Sequence, residues 1–436
     1  MTASNIPESW KTDNLFVLVG ESPLPNYVAA QLLLKPGGTL HLVSSRDTLA
    51  IGKRIANLAR QVGCEFSCPE HPPLEDPGSR FAIIDFFKRV GPLKGSVGLH
   101  YTGGTKAMAV HAFQEVKQQY SQAVCTYLDA RTLEMRHAEE RARIPVGLSV
   151  KPTVAELVTL HDIPLAYFCI ALYGNLVSLY QVLAKAHETE VGQNAYNEWC
   201  KTTLRRPNGR LIEKRSHLPL NGQLCYPTAA ELTEVATVMR IVFDSPGDYF
   251  DPEQVRQKFT MQRVVPKATS GTSSQLIEYE SSTPMVLPLD ELVRYLDGTW
   301  VEHLTLDAFN AVDSTYRPHN VVMSLKSDEK KISYNFEFDV AAMRGYQLYA
   351  ISCTRSSERH LCKNKLFEAH LRAKQFGGEE AKVGLVCCDK DPTELQKQVQ
   401  SLWREGKEEV RVFGAQDLPH LAERFYDWLR RSGGSA

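Results

Sequence analysis

Along the first third of the chain, short apolar runs alternate with segments whose apolar residues recur every three to four positions. The runs over 15–19, 39–44, 97–101 and 124–128 predict strands, and the periodic segments over 26–34, 47–62, 80–90 and 106–120 predict helices. Strand and helix in alternation imply a mostly parallel sheet with helices on both faces. Ligands of such sheets sit at the carboxyl ends of the strands, and three polar loops fall there. They contribute Glu21, Ser22, Pro23 and Asn26 after the first strand, Ser44, Ser45 and Thr48 after the second, and Thr102-Gly103-Gly104-Thr105-Lys106 after the third. The last loop suits a phosphate: paired glycines admit close approach, the following helix start offers free N–H groups, and Lys106 adds a charge. It has neither the spacing of a Walker loop nor a dinucleotide fingerprint, which argues against a Rossmann-type oxidoreductase.

The stretch 147–288 is less regular. Helices are predicted over 155–160, 163–185 and 229–243, and Asp251-Pro252 forms an N-capped helix start. These elements read as a helical connector with room for a helix-turn-helix. Arg205-Arg206-Pro207-Asn208-Gly209-Arg210 is a basic loop whose simplest reading is a solvated turn, and 267–274 is a Ser/Thr/Gly-rich loop. Residues 163–183 carry no charge and are long enough to span a bilayer, but Pro164, Gly174, Asn175, Ser178 and Gln181 interrupt them. A buried or dimer-interface helix is the better expectation.

Beyond residue 289 the pattern changes again. A helix pair over 290–309 carries Glu302, and the segment from Ile332 to Cys353 reads as a β-hairpin turning at Met343-Arg344-Gly345. Strict alternation there places Phe336, Phe338 and Val340 on one face and Glu337 and Asp339 on the other. A helix follows, with Cys362, Leu366, Ala369, Ala373 and Phe376 on its apolar stripe, Lys365, Glu368 and Arg372 along one flank, and Gly377-Gly378 at its end. Helices around a short strand over 409–413 close the chain. Two acids sharing a strand face beside a buried one form either a solvated edge or a site for a hard cation, and the apolar surroundings favour the cation.

Composition narrows the choice. The 436 residues exceed one ordinary core and predict two or three domains. A net charge of −1 excludes a protein that coats nucleic acid through overall positive charge, so any such contact depends on local basic patches or on metal ions. The ten cysteines form no C-x-x-C pair, which speaks against a zinc ribbon or a disulfide framework and for a reduced cytoplasm. The first residues lack the basic start and apolar core of a signal peptide.

Two stretches carry a resemblance. Gly298-Thr299-Trp300-Val301-Glu302, Glu337-Phe338-Asp339-Val340, Ile351-Ser352-Cys353, Lys363-Asn364-Lys365-Leu366-Phe367-Glu368 and Gln375-Phe376-Gly377-Gly378 resemble the nuclease domain of CRISPR ancillary nucleases of the Card/Can type, a branch of the PD-(D/E)xK fold. The usual Glu-x-Lys of the second strand is replaced here by Ser352-Cys353-Thr354, so the resemblance implies that Lys365, or else Lys363, supplies the lysine from the next helix with Glu368 beside it. The loops of the first third are similar to those of the CARF domain, a Rossmann-like sensor of cyclic oligoadenylates that works as a dimer.

Together the resemblances imply an α/β protein with a CARF domain over 1–146, a helical connector over 147–288 and a restriction-endonuclease-like domain over 289–431. The expected activity is a cytoplasmic, homodimeric, metal-dependent endonuclease activated by a cyclic oligoadenylate, with cyclic tetra-adenylate the first choice. Glu302, Glu337 and Asp339 are its expected ligands for Mn2+ or Mg2+, and Lys365 and Glu368 join Glu337 and Asp339 as catalytic residues. The substrate is DNA, RNA or both, and no membrane association is expected. The alternative is a ligand-responsive DNA-binding regulator with an inactive nuclease fold.

Overall fold

The computed structural model describes residues 6–174, 176–267, 278–328, 330–331, 337–403 and 409–432. Seven strands come first: β1 (Thr12–Leu18), β2 (Leu34–Val43), β3 (Phe66–Ser67), β4 (Val97–His100), β5 (Val124–Asp129), β6 (Glu134–His137) and β7 (Arg143–Pro145). They form one sheet in the order β3-β2-β1-β4-β5-β6-β7. β3, β2, β1, β4 and β5 pair in parallel, and β6 and β7 return antiparallel at the edge. The long parallel strands are buried on both faces, which is why they read as continuous apolar runs. β6 gives no such signal, because only Met135 of its four residues is buried.

A second sheet is built from β8 (Leu165–Tyr173), β11 (Thr260–Pro266), β12 (Tyr279–Ser281), β13 (Met285–Val286), β14 (Asn320–Ser327), β15 (Glu337–Arg344), β16 (Gln347–Cys353), β17 (Lys382–Val386) and β18 (Val410–Phe413), while β9 (Leu224–Cys225) and β10 (Tyr249–Phe250) pair only with each other. The order is β12-β11-β8-β14-β15-β16-β17-β18, with β13 also on β11. Pairing is antiparallel up to β16, then parallel through β17 and β18. The hairpin of β15 and β16 is where alternation places it, with Gly345 and Tyr346 in the turn. Its expected start, 332–336, and residues 268–274 of the Ser/Thr/Gly-rich loop lie outside the described residues, as does Asn175.

One expected helix is overturned. Residues 163–185 divide into strand β8 and the helix Leu176–Ala186, with β8 in the middle of the second sheet between β11 and β14. A central strand and a buried helix both read as unbroken apolar sequence, and periodicity does not separate them. The pairing of β8 and β11 also brings 147–288 into the same sheet as the hairpin, in place of a purely helical connector. Between those two strands the chain leaves the sheet and carries helices Glu190–Thr203 and Thr233–Phe243. The helix that Asp251 caps spans only five residues, Pro252–Arg256, too short to lie along a DNA groove as a recognition helix.

Helix Arg359–Gly377 packs its stripe of Cys362, Leu366, Ala373 and Phe376 on one face of the second sheet. Helices Trp300–Ala311 and Leu421–Ser432 cover the other, with Phe309 and Phe425 stacked at 4.2 Å. The two sheets meet through helix Val154–Leu160, which packs against helix Leu49–Gln61 on one side and Arg359–Gly377 on the other. Arg54 donates to the Leu160 carbonyl at 2.8 Å and His161 Nε2 to the Phe376 carbonyl at 3.0 Å. Among the described residues no helix is long and apolar enough to cross a membrane.

Candidate functional site

The hairpin departs from strict alternation at one place. Phe338 packs in the cluster of Leu366 and Phe376, with its ring 5.9 Å from that of Phe376, whereas Val340 packs with Trp300 and Ile351 on the other face. The expected common face for Phe338 and Val340 is therefore not formed. On the neighbouring strand Ser324 has φ +48°, a left-handed conformation that a serine adopts at a cost, and the register of β14 against β8 shifts around it. The irregularity lies opposite Asp339, since Met323 faces Val340 and Leu325 faces Phe338.

At this break Asp339 is largely buried and fully engaged. Its Oδ2 accepts from Ser352 Oγ at 2.9 Å, from the Cys353 backbone N–H at 2.7 Å and from Lys365 Nζ at 3.2 Å. Ser352 and the Cys353 N–H thus hold Asp339 from the adjacent strand, and Lys365 reaches it from helix Arg359–Gly377. Glu302, on helix Trp300–Ala311, accepts from Ser324 Oγ at 2.9 Å. Burial, and then the charge of Asp339, hold its carboxyl well above the usual carboxylate range. Lys365 shifts upward although burial opposes its charge, because Asp339 beside it outweighs that cost. The Cys353 thiol is pushed up by burial and by Asp339 and Glu302, which leaves it a neutral wall residue.

Glu337 and Glu368 stand apart from this centre. Glu337 pairs with Lys326 across the strands at 3.2 Å, and Glu368 pairs with Arg372 one helical turn on at 2.8 Å. Both line a small pocket of about 90 Å³ with Asp339 and Lys365, but their carboxylates are held by other partners. Neither Ser324 nor Lys326 was expected, and nothing in the sequence marks a serine for left-handed geometry within a strand.

The donor chemistry fits a hard divalent cation at Asp339 and Glu302. Both are oxygen ligands, and a positive ion there would offset the burial and the Asp339 charge that raise the Glu302 carboxyl. Glu337, the expected third ligand, lines the small pocket with Asp339 while its carboxylate is paired with Lys326. Beside this pair a cleft of about 600 Å³ opens, with Glu302, Lys365, Arg205, Arg294, Asp297 and Arg355 among its lining residues.

The expected ligand loops come together at the carboxyl ends of β1, β2 and β4. A Cβ on Gly103 would stand 2.2 Å from the Leu18 carbonyl oxygen, so the close contact between the first and third loops needs glycine there. Thr102 Oγ1 accepts from the Leu128 N–H at 2.6 Å, and Thr105 caps helix Lys106–Gln119 by accepting from the Met108 N–H at 3.1 Å. Lys106 and Glu21 are exposed. Ser45 and Thr48 bond each other, with the Ser45 N–H donating to Thr48 Oγ1 at 3.0 Å, and Ser44 and Pro23 are buried behind the surface. Asn26 departs from expectation: it is fully buried, donates to the Leu18 carbonyl at 2.9 Å and shapes the loop from beneath. Ser22 lies against the other sheet's elements, since a Cβ on Gly378 would come within 3.5 Å of its Oγ.

No family model and no curated protein matches the chain. Solved structures do match. Protein VC1899 from Vibrio cholerae superposes with a TM-score of 0.60 at 13% identity, covering 97% of this chain and 100% of its own. Can2 from Sulfobacillus thermosulfidooxidans, solved in complex with cyclic tetra-adenylate, superposes with a TM-score of 0.62 at 13% identity, covering 95% and 99%. At that identity the likeness is one of fold, and it extends over nearly the full length of all three chains: this protein has a mixed α/β architecture shared with Can2 and VC1899, in which a mostly parallel sheet is followed by a second, mixed sheet.

Proposed function

We propose that the chain is a metal-dependent nuclease of antiviral defence, switched on by a cyclic oligoadenylate that binds between the sensor-type sheets of a homodimer in the cytoplasm. The observation that carries the reading is the arrangement of Lys365, bonded to Asp339 from a different element, and Glu302, with Lys365 and Glu302 both lining an open cleft. Hydrolysis of a phosphodiester needs an activated water and a stabilised leaving oxygen, and Mn2+ or Mg2+ bound at Asp339 and Glu302 would supply that Lewis-acid chemistry. Lys365 places its ammonium where charge builds on the phosphorus oxygens. Ser352 and the Cys353 N–H fix the orientation of Asp339, and Ser324 fixes that of Glu302. Support for the activator comes from the loops around Gly103 and Lys106 and from the shared fold with Can2, whose solved structure holds cyclic tetra-adenylate.

The test is incubation with labelled single-stranded DNA, RNA and supercoiled plasmid, with manganese, across rings of different size. Cleavage that depends on one ring and vanishes in Asp339→Asn is the expected result. A wild-type protein that binds a ring yet cuts none of these substrates would be the ligand-responsive regulator with an inactive nuclease fold.

A further inference from the structure

The cleft beside Lys365 takes part of its wall, Asn197, Arg205 and Leu211, from the excursion between β8 and β11. Arg205 ends the stretch after helix Glu190–Thr203, at the base of a tight turn in which the Arg206 N–H donates to the Arg210 carbonyl at 2.8 Å. Its guanidinium is held on two sides, by Asp297 Oδ2 at 2.7 Å and by the Gly209 carbonyl at 3.0 Å. Asp297 also takes Arg355, whose Nε donates to the Asp297 carbonyl at 2.6 Å and whose guanidinium lies over the Tyr196 ring and against Asn197. The Arg205-Asp297-Arg355 unit thus ties the excursion, the turn before helix Trp300–Ala311 and the loop after β16 into one wall. Arg355 is only 14% exposed, whereas Arg205 and Arg294 are 34% and 46% exposed. Arg294 lines the cleft from helix Leu289–Arg294, paired with Asp290 at 3.3 Å and more loosely with Glu291 at 4.0 Å.

The basic loop of residues 205–210 is therefore not simply a solvated turn. A guanidinium has five N–H donors, and the bonds of Arg205 to Asp297 and Gly209 use two of them, which leaves others for an anion. Arg205 and Arg294 line the cleft together with Lys365, and Lys365 also lines the small Asp339 pocket, so it is common to both. Leu211 and Leu361 give the lining apolar surface between them. A volume of about 600 Å³ is that of a small-molecule site, enough for a short stretch of one strand and not for paired strands.

We propose that this cleft seats the single-stranded nucleic acid flanking the bond to be cut, with Arg205 and Arg294 holding its phosphates and Asp297 with Arg355 positioning Arg205. The inference rests on the nuclease reading and adds the strandedness and path of the substrate. The probes are fluorescein-labelled oligo-dT, oligo-U and a blunt DNA duplex, measured by anisotropy with the ring present, calcium in place of manganese, and salt varied. Wild type should bind both single strands and the duplex far less. Arg205→Ala and Arg294→Ala should each weaken single-strand binding roughly tenfold, and each should lower the salt slope by about 0.7, the value for one phosphate contact on a single strand. Arg205→Lys should recover part of the loss, and unchanged ring affinity will show that the variants are folded. If the double alanine variant binds single strands as wild type does while wild type still cuts in an Asp339-dependent way, the cleft is not the path and the nuclease reading survives. Preferred binding of the duplex overturns the strandedness, and a wild type that neither binds nor cuts any probe overturns both readings together.

Discussion

Lys365 reaches Asp339 from a separate element: its Nζ lies 3.2 Å from Asp339 Oδ2 across 26 positions of sequence, from the helix that follows the hairpin. The charge that stabilises a phosphoryl transition state need not ride on the strand. Lys365→Ala should lower turnover at saturating ring by roughly 10²–10³-fold, the scale of losing one preorganised stabiliser. Lys363 lines neither the cleft nor the Asp339 pocket, so Lys363→Ala should change the rate little. Initial rates of the two variants decide it, and an equal loss in both would remove Lys365 from the proposed chemistry.

Ser324 bears the strain of the break in β14 and donates to Glu302. In Ser324→Gly the left-handed geometry is relieved while the hydrogen bond is lost, so stability should stay within about 1 kcal/mol of wild type. Ser324→Val should cost about 2 kcal/mol, since a β-branched residue tolerates that backbone poorly. The manganese concentration for half-maximal cleavage should rise about tenfold in the glycine variant, as expected when the support of a metal ligand is removed. Urea unfolding and a manganese titration are the measurements, and an unchanged manganese requirement would show that Ser324 does not position Glu302.

Glu380 is buried, and burial pushes its carboxyl up from 4.5 to about 7, with Glu379, Lys374 and Lys382 as its charged neighbours. The folded state therefore holds this proton more tightly than the unfolded chain. Its contribution to stability is complete below about pH 4.5, declines as pH rises toward about 7 and is lost above that. Glu380→Gln, which stays neutral, should match wild type at pH 4.5 and exceed it at pH 8 by up to about 3 kcal/mol. Urea unfolding at both values tests it, and a difference that does not change with pH would mean that Glu380 is ionised in the fold.

At the loops proposed to bind the ring, Lys106→Ala should weaken ring binding by roughly ten- to a hundredfold, the worth of a charged hydrogen bond, while cleavage recovers at higher ring concentration. Gly103→Ala should lose ring binding more completely, because the added carbon meets the Leu18 carbonyl. Calorimetric titration with the ring reads both, and intact affinity in Lys106→Ala would move the site elsewhere.

The parallel strands β1, β2, β4 and β5, the hairpin and the Lys365 helix were all legible in the sequence, because each buries a face or a whole strand that its apolar residues mark. So was the pairing of Lys365 with Asp339, which followed from helical spacing and the family resemblance together. What was not legible depends on long-range pairing. The apolar run of β8 becomes a strand only because β11 and β14 lie on either side of it. The break at Asp339 depends on one backbone angle at Ser324, and the diversion of Glu337 on Lys326 from a neighbouring strand. Arg205 and Asp297 meet across 92 positions, a distance over which no local pattern speaks.

The helix Arg359–Gly377 joins places otherwise far apart. Its 19 residues extend about 28 Å, with Lys365 near one end and the turn at Gly378 against Ser22 of the first sensor loop at the other. One helix and the turn that ends it thus touch both the Ser22 loop and Asp339. Under the proposed function any coupling between the two places would run both ways: whatever factor a bound ring added to the affinity for a nucleic-acid strand, the strand would return to the ring, and a protein engaged on its substrate would hold its signal longer.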